Sequence, residues 1–188
     1  MNTNKTNGQV TLRDVRVSYP NLFEPRAFSP GDREKFSATF LIEKGGENQK
    51  VVKDAIRAVA RGKWGDNVPN PLKHPLRDGS EKESAGYTAD QVFFSANTTK
   101  RPVIVNRTAE PVVDGDPEAP YAGCYVNATV SFWAMDSAYG KRVCCELRGV
   151  QFVRDGDAFG GGSPAVGFES LDGDKAPAGG GSDVSDLL

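Results

Sequence analysis

Apolar and polar residues alternate with the two-residue period of β-strands through most of the first 154 positions. In QVTLRDVRVSY the apolar set runs Val10, Leu12 and then Val15, Val17, Tyr19, so its phase slips at Arg13-Asp14 as a β-bulge makes it do. KFSATFLI keeps Phe36, Ala38, Phe40 and Ile42 in phase. CYVNATVSFWAM puts Val126, Ala128, Val130, Phe132 and Ala134 on one face and Tyr125, Asn127, Thr129, Ser131 and Trp133 on the other. RVCCELRGVQFV carries Val143, Cys145 and Leu147, then slips at Gly149 to Val150 and Phe152, while VFFSAN and PVIVN supply two short strands. One segment changes period. In ENQKVVKDAIRAVARGKW, Val52, Ala55, Ile56 and Val59 follow helical spacing with Lys50, Lys53, Arg57 and Arg61 off the stripe, and Gly62 is expected to end the helix. The next stretch, WGDNVPNPLKHPLRDGSEKESAGY, places three prolines before Asp78-Gly79 and reads as a long, locally constrained loop. Five or six strands with phase slips, one helix and long loops describe a mainly β fold, with an OB-fold-type curved barrel first and a β-sandwich second. Periodicity does not separate the two.

The pattern stops near Asp155. From there nine glycines in 34 residues, few apolar groups and no period leave too little surface to offset the entropy of ordering. The expected organisation is a flexible N-terminus (1–8), one domain (9–154) and a disordered, Gly-rich acidic tail (155–188). Charge divides at the same place. Residues 1–154 hold 22 Lys and Arg against 18 Asp and Glu, a net +4, and residues 155–188 hold 1 against 7, a net −6. A basic body suits a polyanion, and the tail resembles one. No run approaches the roughly 18 to 20 apolar residues of a membrane span, and MNTNKTNGQV lacks the apolar centre of a signal peptide, so a cytoplasmic protein without a membrane partner is expected. Cys124, Cys144 and Cys145 have no zinc spacing and read as free, buried thiols of a reducing compartment, with the adjacent pair pointing to opposite faces of a strand.

Candidate chemistry is sparse. His74 is the single histidine, so no Ser/His/Asp or Cys/His set is available, and it reads as a loop residue between prolines. DGDPEAP and DGDA look like solvated turns, neither completes a calcium loop, and no Gly-rich phosphate loop follows a strand. The expectation is therefore no enzyme, no metal and no cofactor. Binding remains. Tyr125 and Trp133 stand on a polar sheet face, which is what stacking on bases requires if no other element covers that face. Basic residues are interleaved with aromatics: Arg16 with Tyr19, Arg33 and Lys35 before Phe36, Lys100 and Arg101 between strands, Arg107 after PVIVN, Lys141 and Arg142 after Tyr139. Together they describe a backbone-tracking groove for single-stranded nucleic acid read without base specificity. Two rival readings are a virion structural or assembly module, and a small metal-dependent nuclease using Asp78, Glu81 and Glu83.

Six blocks in order carry a family resemblance: VSYPNLFEP, KFSATFLIEK, PLRDGSEK, FFSANTTKRPVIVN, YAGCYVNATVSFWAMD and LRGVQFVRDGDAFGG. Over about residues 9 to 170 the chain resembles the tailed-phage single-stranded DNA-binding proteins of the Enc34-like type. The resemblance implies an OB-fold with extra elements, sequence-tolerant binding of single-stranded DNA, a part in phage DNA replication and recombination in the host bacterial cytoplasm, and no catalysis. It places Lys100 and Arg101 beside the barrel and Tyr121, Tyr125 and Trp133 on a long strand. The acidic insertion TAEPVVDGDPEAP bears on the surroundings of Arg107. For the tail, likeness to replicative single-strand binders implies a partner-binding tip. Asp183 and Asp186 would steer it to basic surfaces of replication or recombination proteins, and Val184, Leu187 and Leu188 would enter an apolar pocket. The same tip could occupy the protein's own groove, and the protein is expected to be a monomer or to self-associate weakly.

Overall fold

The computed structural model describes residues 8–159, so residues 1–7 of the expected N-terminal arm and all of the tail beyond Phe159, including Asp183, Val184, Asp186, Leu187 and Leu188, lie outside the described residues. Gly8, also expected in that arm, is instead buried, with its carbonyl accepting from the Phe132 N–H (2.9 Å). Seven strands and one α-helix follow in chain order: β1 Gln9–Arg26, β2 Lys35–Glu43, α1 Glu47–Trp64, β3 Arg77–Asp78, β4 Gln91–Thr98, β5 Val103–Val105, β6 Tyr125–Ser137 and β7 Gly140–Arg154. Their order in the sheet is β3-β4-β2-β1-β6-β7-β5, and a parallel pairing of β4 with β7 at Asn97 and Glu146 closes β1, β2, β4, β7 and β6 into a barrel. This is the OB-type barrel, not the sandwich. The inward phases of the strands fill it. Phe40, Phe94, Phe132 and Phe152 are fully buried, with the Phe40–Phe94 and Phe94–Phe132 ring centroids each 5.7 Å apart.

Both phase slips are bulges. The β1–β6 register shifts between Leu12 and Val15, and the β6–β7 register shifts between Thr129 and Val130, opposite Gly149 and Leu147. A bulge leaves backbone groups without ladder partners, and here side chains supply them. Asn48 of α1 accepts from the Arg13 N–H (3.1 Å) and donates to the Arg13 carbonyl (2.9 Å), while Asn127 accepts from the Asp14 N–H. The helix thus docks on the bulge and buries Val52, Ala55 and Ile56 in the core.

Three sequence expectations need correction. The helix runs past Gly62 to Trp64 and ends at Gly65, whose φ of 56° and N–H bond to the Arg61 carbonyl form the stop. One glycine inside a helix costs about 1 kcal/mol, which burial of the Trp64 ring exceeds. The segment 64–87 is not one long loop. It contains β3 and a 3₁₀ turn, Gly79–Glu81, capped by Asp78, and it folds onto the outward side of β1, β2 and β4. There Tyr87 meets Phe93 edge-on at 5.1 Å, and Ser18, Ser37 and Thr39 become buried although they face away from the core. Finally, Asp155–Phe159, assigned from sequence to the tail, pack on the barrel. Gly156 N–H donates to the Tyr121 hydroxyl (3.1 Å) and Phe159 N–H to the Ala122 carbonyl (2.9 Å).

Candidate nucleic-acid interface

The outward face of β6 does not form the single row that its alternation describes. At its start Tyr125 lies under the Arg154 guanidinium, 3.5 Å from the ring centroid, with Arg16 at 5.6 Å. In the middle, Asn127 and Thr129 border a cavity of about 480 Å³ with Arg13, Val103 and Arg148. Ser131 is buried. Only Trp133, 44% exposed, presents a free aromatic face.

Trp133 forms the floor of a groove of about 850 Å³. The antiparallel register sets Trp133 opposite Cys144 and Met135 opposite Arg142, so the period of the two strands brings an indole, a thioether and a guanidinium to one face. Lys35, at the start of β2, lines the same groove. The opposite wall is the 64–87 segment, held there by a bond from the Val143 N–H to the Lys73 carbonyl (2.8 Å), which brings Lys73 and His74 in. Glu146 also lines the groove, but its carboxylate is engaged by Arg148 at 3.0 Å. The result is a predominantly basic channel with an aromatic floor. Arg142 Nε is shielded from solvent and has no hydrogen-bond partner among the described residues, a buried donor whose desolvation cost falls once an oxygen accepts from it. Burial pushes the Cys144 thiol up, while the neighbouring Arg142 and Lys35 charges pull it back.

The groove continues past Pro75 and Ser95, which also border a smaller cavity containing Arg77, Lys82 and Phe93. Lys82 Nζ stands 4.2 Å from the Tyr19 ring centroid and 4.9 Å from that of Tyr87. Of the residues singled out from sequence, the structure therefore brings Lys35, Trp133 and Arg142 together directly, with Tyr19 farther along the same path. Lys100 and Arg101 are exposed in the turn after Thr98 and Thr99, which line the groove. Arg33 is exposed in the β1–β2 connection, and Tyr139, 85% exposed, caps the β6–β7 hairpin beside Lys141, which pairs with Asp136 at 3.8 Å.

Others are engaged elsewhere. Arg107 is held by Glu118 of the acidic insertion, through its backbone N–H (3.0 Å) and its Nε (2.8 Å), and this pairing raises the Arg107 pKa while lowering that of Glu118. Tyr121, expected on the long strand, lies in the turn before β6, where it bonds Asp155 (2.9 Å) and packs against the core. Arg16 donates to the Gly123 carbonyl (3.1 Å) and the Asp157 carbonyl (2.7 Å). Sequence reasoning missed Lys73, Arg77, Lys82 and Phe93, and it assigned His74 to a plain loop. The prolines before Asp78 were the available signal, since they marked a constrained segment without showing where it docks. Of the three carboxylates considered for metal chemistry, Asp78 and Glu81 are occupied structurally and Glu83 is exposed. Asp78 and Glu81 cap the 3₁₀ turn reciprocally, and the hydrogen bond from Lys44, with Ser80, lowers the Asp78 pKa to about 2.

Comparison with known proteins supplies an independent finding. The profile of the family described as Enterobacter phage Enc34, ssDNA-binding protein matches residues 8–176. Protein p50 of Acyrthosiphon pisum secondary endosymbiont phage 1 is 41% identical over 167 residues, covering 84% of this chain and 89% of its own. The single-stranded DNA-binding protein of bacteriophage Enc34, solved in complex with ssDNA, superposes with a TM-score of 0.70 at 26% identity, covering 81% of this chain and 90% of that one. The bacteriophage T7 single-stranded DNA-binding protein gp2.5 matches with a TM-score of 0.58 at 15% identity, covering 90% and 98%, which shows the shared fold.

Proposed function

The chain belongs to the family of the Enterobacter phage Enc34 single-stranded DNA-binding protein, and on that premise we propose that it binds single-stranded DNA along the Trp133 groove without reading sequence. The observation that carries this placement is the meeting of a half-open indole with Lys35, Lys73 and Arg142 in one channel. An exposed aromatic face stacks on any base, and cations spaced along the channel neutralise phosphates. In this reading the protein coats and protects strands exposed during phage DNA replication or recombination in the host cytoplasm. It performs no chemistry on them, and it acts as a monomer or with weak self-association. The net charge of −6 in residues 155–188 supports a second role, recruitment of replication or recombination proteins through Asp183, Val184, Asp186, Leu187 and Leu188.

The test is a titration with oligothymidine at increasing salt. Each phosphate contact contributes about 0.7 to the slope of log affinity against log salt, so three contacts weaken binding roughly 20-fold between about 50 and 200 mM salt. Removing Lys35, Lys73 or Arg142 singly should flatten the slope by about 0.7. Salt-independent binding, or slopes unchanged in all three variants, would show that these cations do not face the strand. Labelled strands incubated with magnesium should keep their length, and cleavage would overturn the non-catalytic part.

A further inference from the structure

Beyond the Trp133 groove, a cleft of about 300 Å³ opens between Tyr19 and Phe159, with Ser18, Ser84, Ala85 and Ala122 completing its lining. Its two aromatic walls are held in unusual ways. Tyr19 sits in β1 with a φ of 47°, a left-handed conformation that costs a bulky residue about 1 kcal/mol or more and persists only when the surroundings impose it. That conformation turns its ring outward, 53% exposed, with its hydroxyl donating to Ser84 Oγ at 3.2 Å. Phe159 is seated on the opposite side with the Arg16 guanidinium 4.3 Å from its centroid. Gly86, at φ 85°, has no Cβ where one would overlap the Phe159 ring. Neither ring belongs to the core, and each carries a cation on one face, Lys82 on Tyr19 and Arg16 on Phe159.

Two aromatic walls, a floor of small residues with the Ser84 hydroxyl, and flanking cations are what an unpaired nucleobase with its phosphates fits. Resting on the single-strand reading above, we propose that the Tyr19–Phe159 cleft is a second base-binding subsite, which takes one nucleobase of a strand whose earlier part lies in the Trp133 groove. The two sites are connected by the Pro75–Ser95 crossing and by Lys82, which borders the intermediate cavity and stands over Tyr19. The cleft therefore extends the footprint, and short strands held at Trp133 do not need it.

The experiment uses the full chain with oligothymidines of about 4 to 16 nucleotides, the range of single OB-fold footprints. Tyr19→Leu and Phe159→Ala should each weaken the longest strands roughly 5- to 100-fold while leaving the shortest unchanged, so the gain in affinity with length is lost. The double variant should lose little more than either single one, because both rings serve one base. Iodouracil-substituted long strands should cross-link the unmodified protein at Tyr19 or Phe159, which keeps the test valid if a variant folds poorly. Unchanged affinity at every length with no such cross-link would overturn the proposal. So would a gain in affinity on removing Phe159, which would make that ring a plug. Unchanged affinity for the longest strands in both variants, with Trp133 still quenched by every strand, sinks the cleft alone, whereas strands that bind the unmodified protein without quenching Trp133 sink the groove itself.

Discussion

Replacing Trp133 by Ala isolates the stacking contribution, and the structure sets its size. The ring is 44% exposed, so of the roughly 250 Å² an indole side chain can bury, about 110 Å² remains for a base. Complete cover at about 25 cal/mol per Å² is worth about 2.7 kcal/mol, or about 100-fold in Kd, and cover of one ring face about half that, or about 10-fold. Trp133→Ala should therefore weaken oligothymidine binding between about 10- and 100-fold, with Trp133→Phe in between. Fluorescence anisotropy of a labelled strand measures this without depending on protein emission. The thermal midpoint should change little, because Trp133 faces away from Phe132 and the core. Intrinsic emission gives a second readout. The other tryptophan, Trp64, is buried with its Nε1 donating to Asp136 (3.3 Å), so DNA-induced quenching should vanish in Trp133→Phe. A Kd within twofold of the parent, with quenching retained, would refute the placement of DNA on this floor.

Other outcomes follow from side chains that the structure shows engaged. Arg107→Ala should leave affinity within about twofold and the salt slope unchanged, since Glu118 already neutralises Arg107, and stability should change little for so exposed a pair; a flattened slope would return Arg107 to the strand. Asn48→Ala orphans the Arg13 N–H and carbonyl at the bulge and should cost about 1 to 2 kcal/mol in urea unfolding; an unchanged midpoint would mean water replaces the amide. Burial pushes the Cys124 thiol up to about 11 from an ordinary 9.0. Below about pH 9 folded and unfolded chains both keep that proton, but between about 9 and 11 only the unfolded chain releases it, so stability falls as pH rises, by up to about 1.4 kcal/mol per pH unit. Cys145 acts in the same direction. Cys124→Ala should reduce that alkaline slope, and an identical slope would place the thiol in contact with water.

Six of the seven strands (all but β3), both bulges and most of the core were legible in the alternation alone, because each depends on which residues lie two apart on one strand. Leu12 and Val15 astride a bulge, or Phe132 inward and Trp133 outward, follow from local chain geometry and burial of apolar surface. The charge split was legible for the same reason, being a property of composition. What surrounds the outward side chains was decided only by the tertiary structure. Tyr125 and Trp133 share a polar face in the alternation, yet two arginines cover the first while the second opens into a groove. Lys73 and Lys82 joined that path because the proline-bounded segment folds across β4. Arg107 is paired because Glu118, eleven residues on, reaches back to it. An inward residue meets the core wherever the barrel closes, so its fate is set within its own strand. An outward residue meets whatever distant segment packs there, and that contact depends on closure and loop docking, which no periodicity encodes.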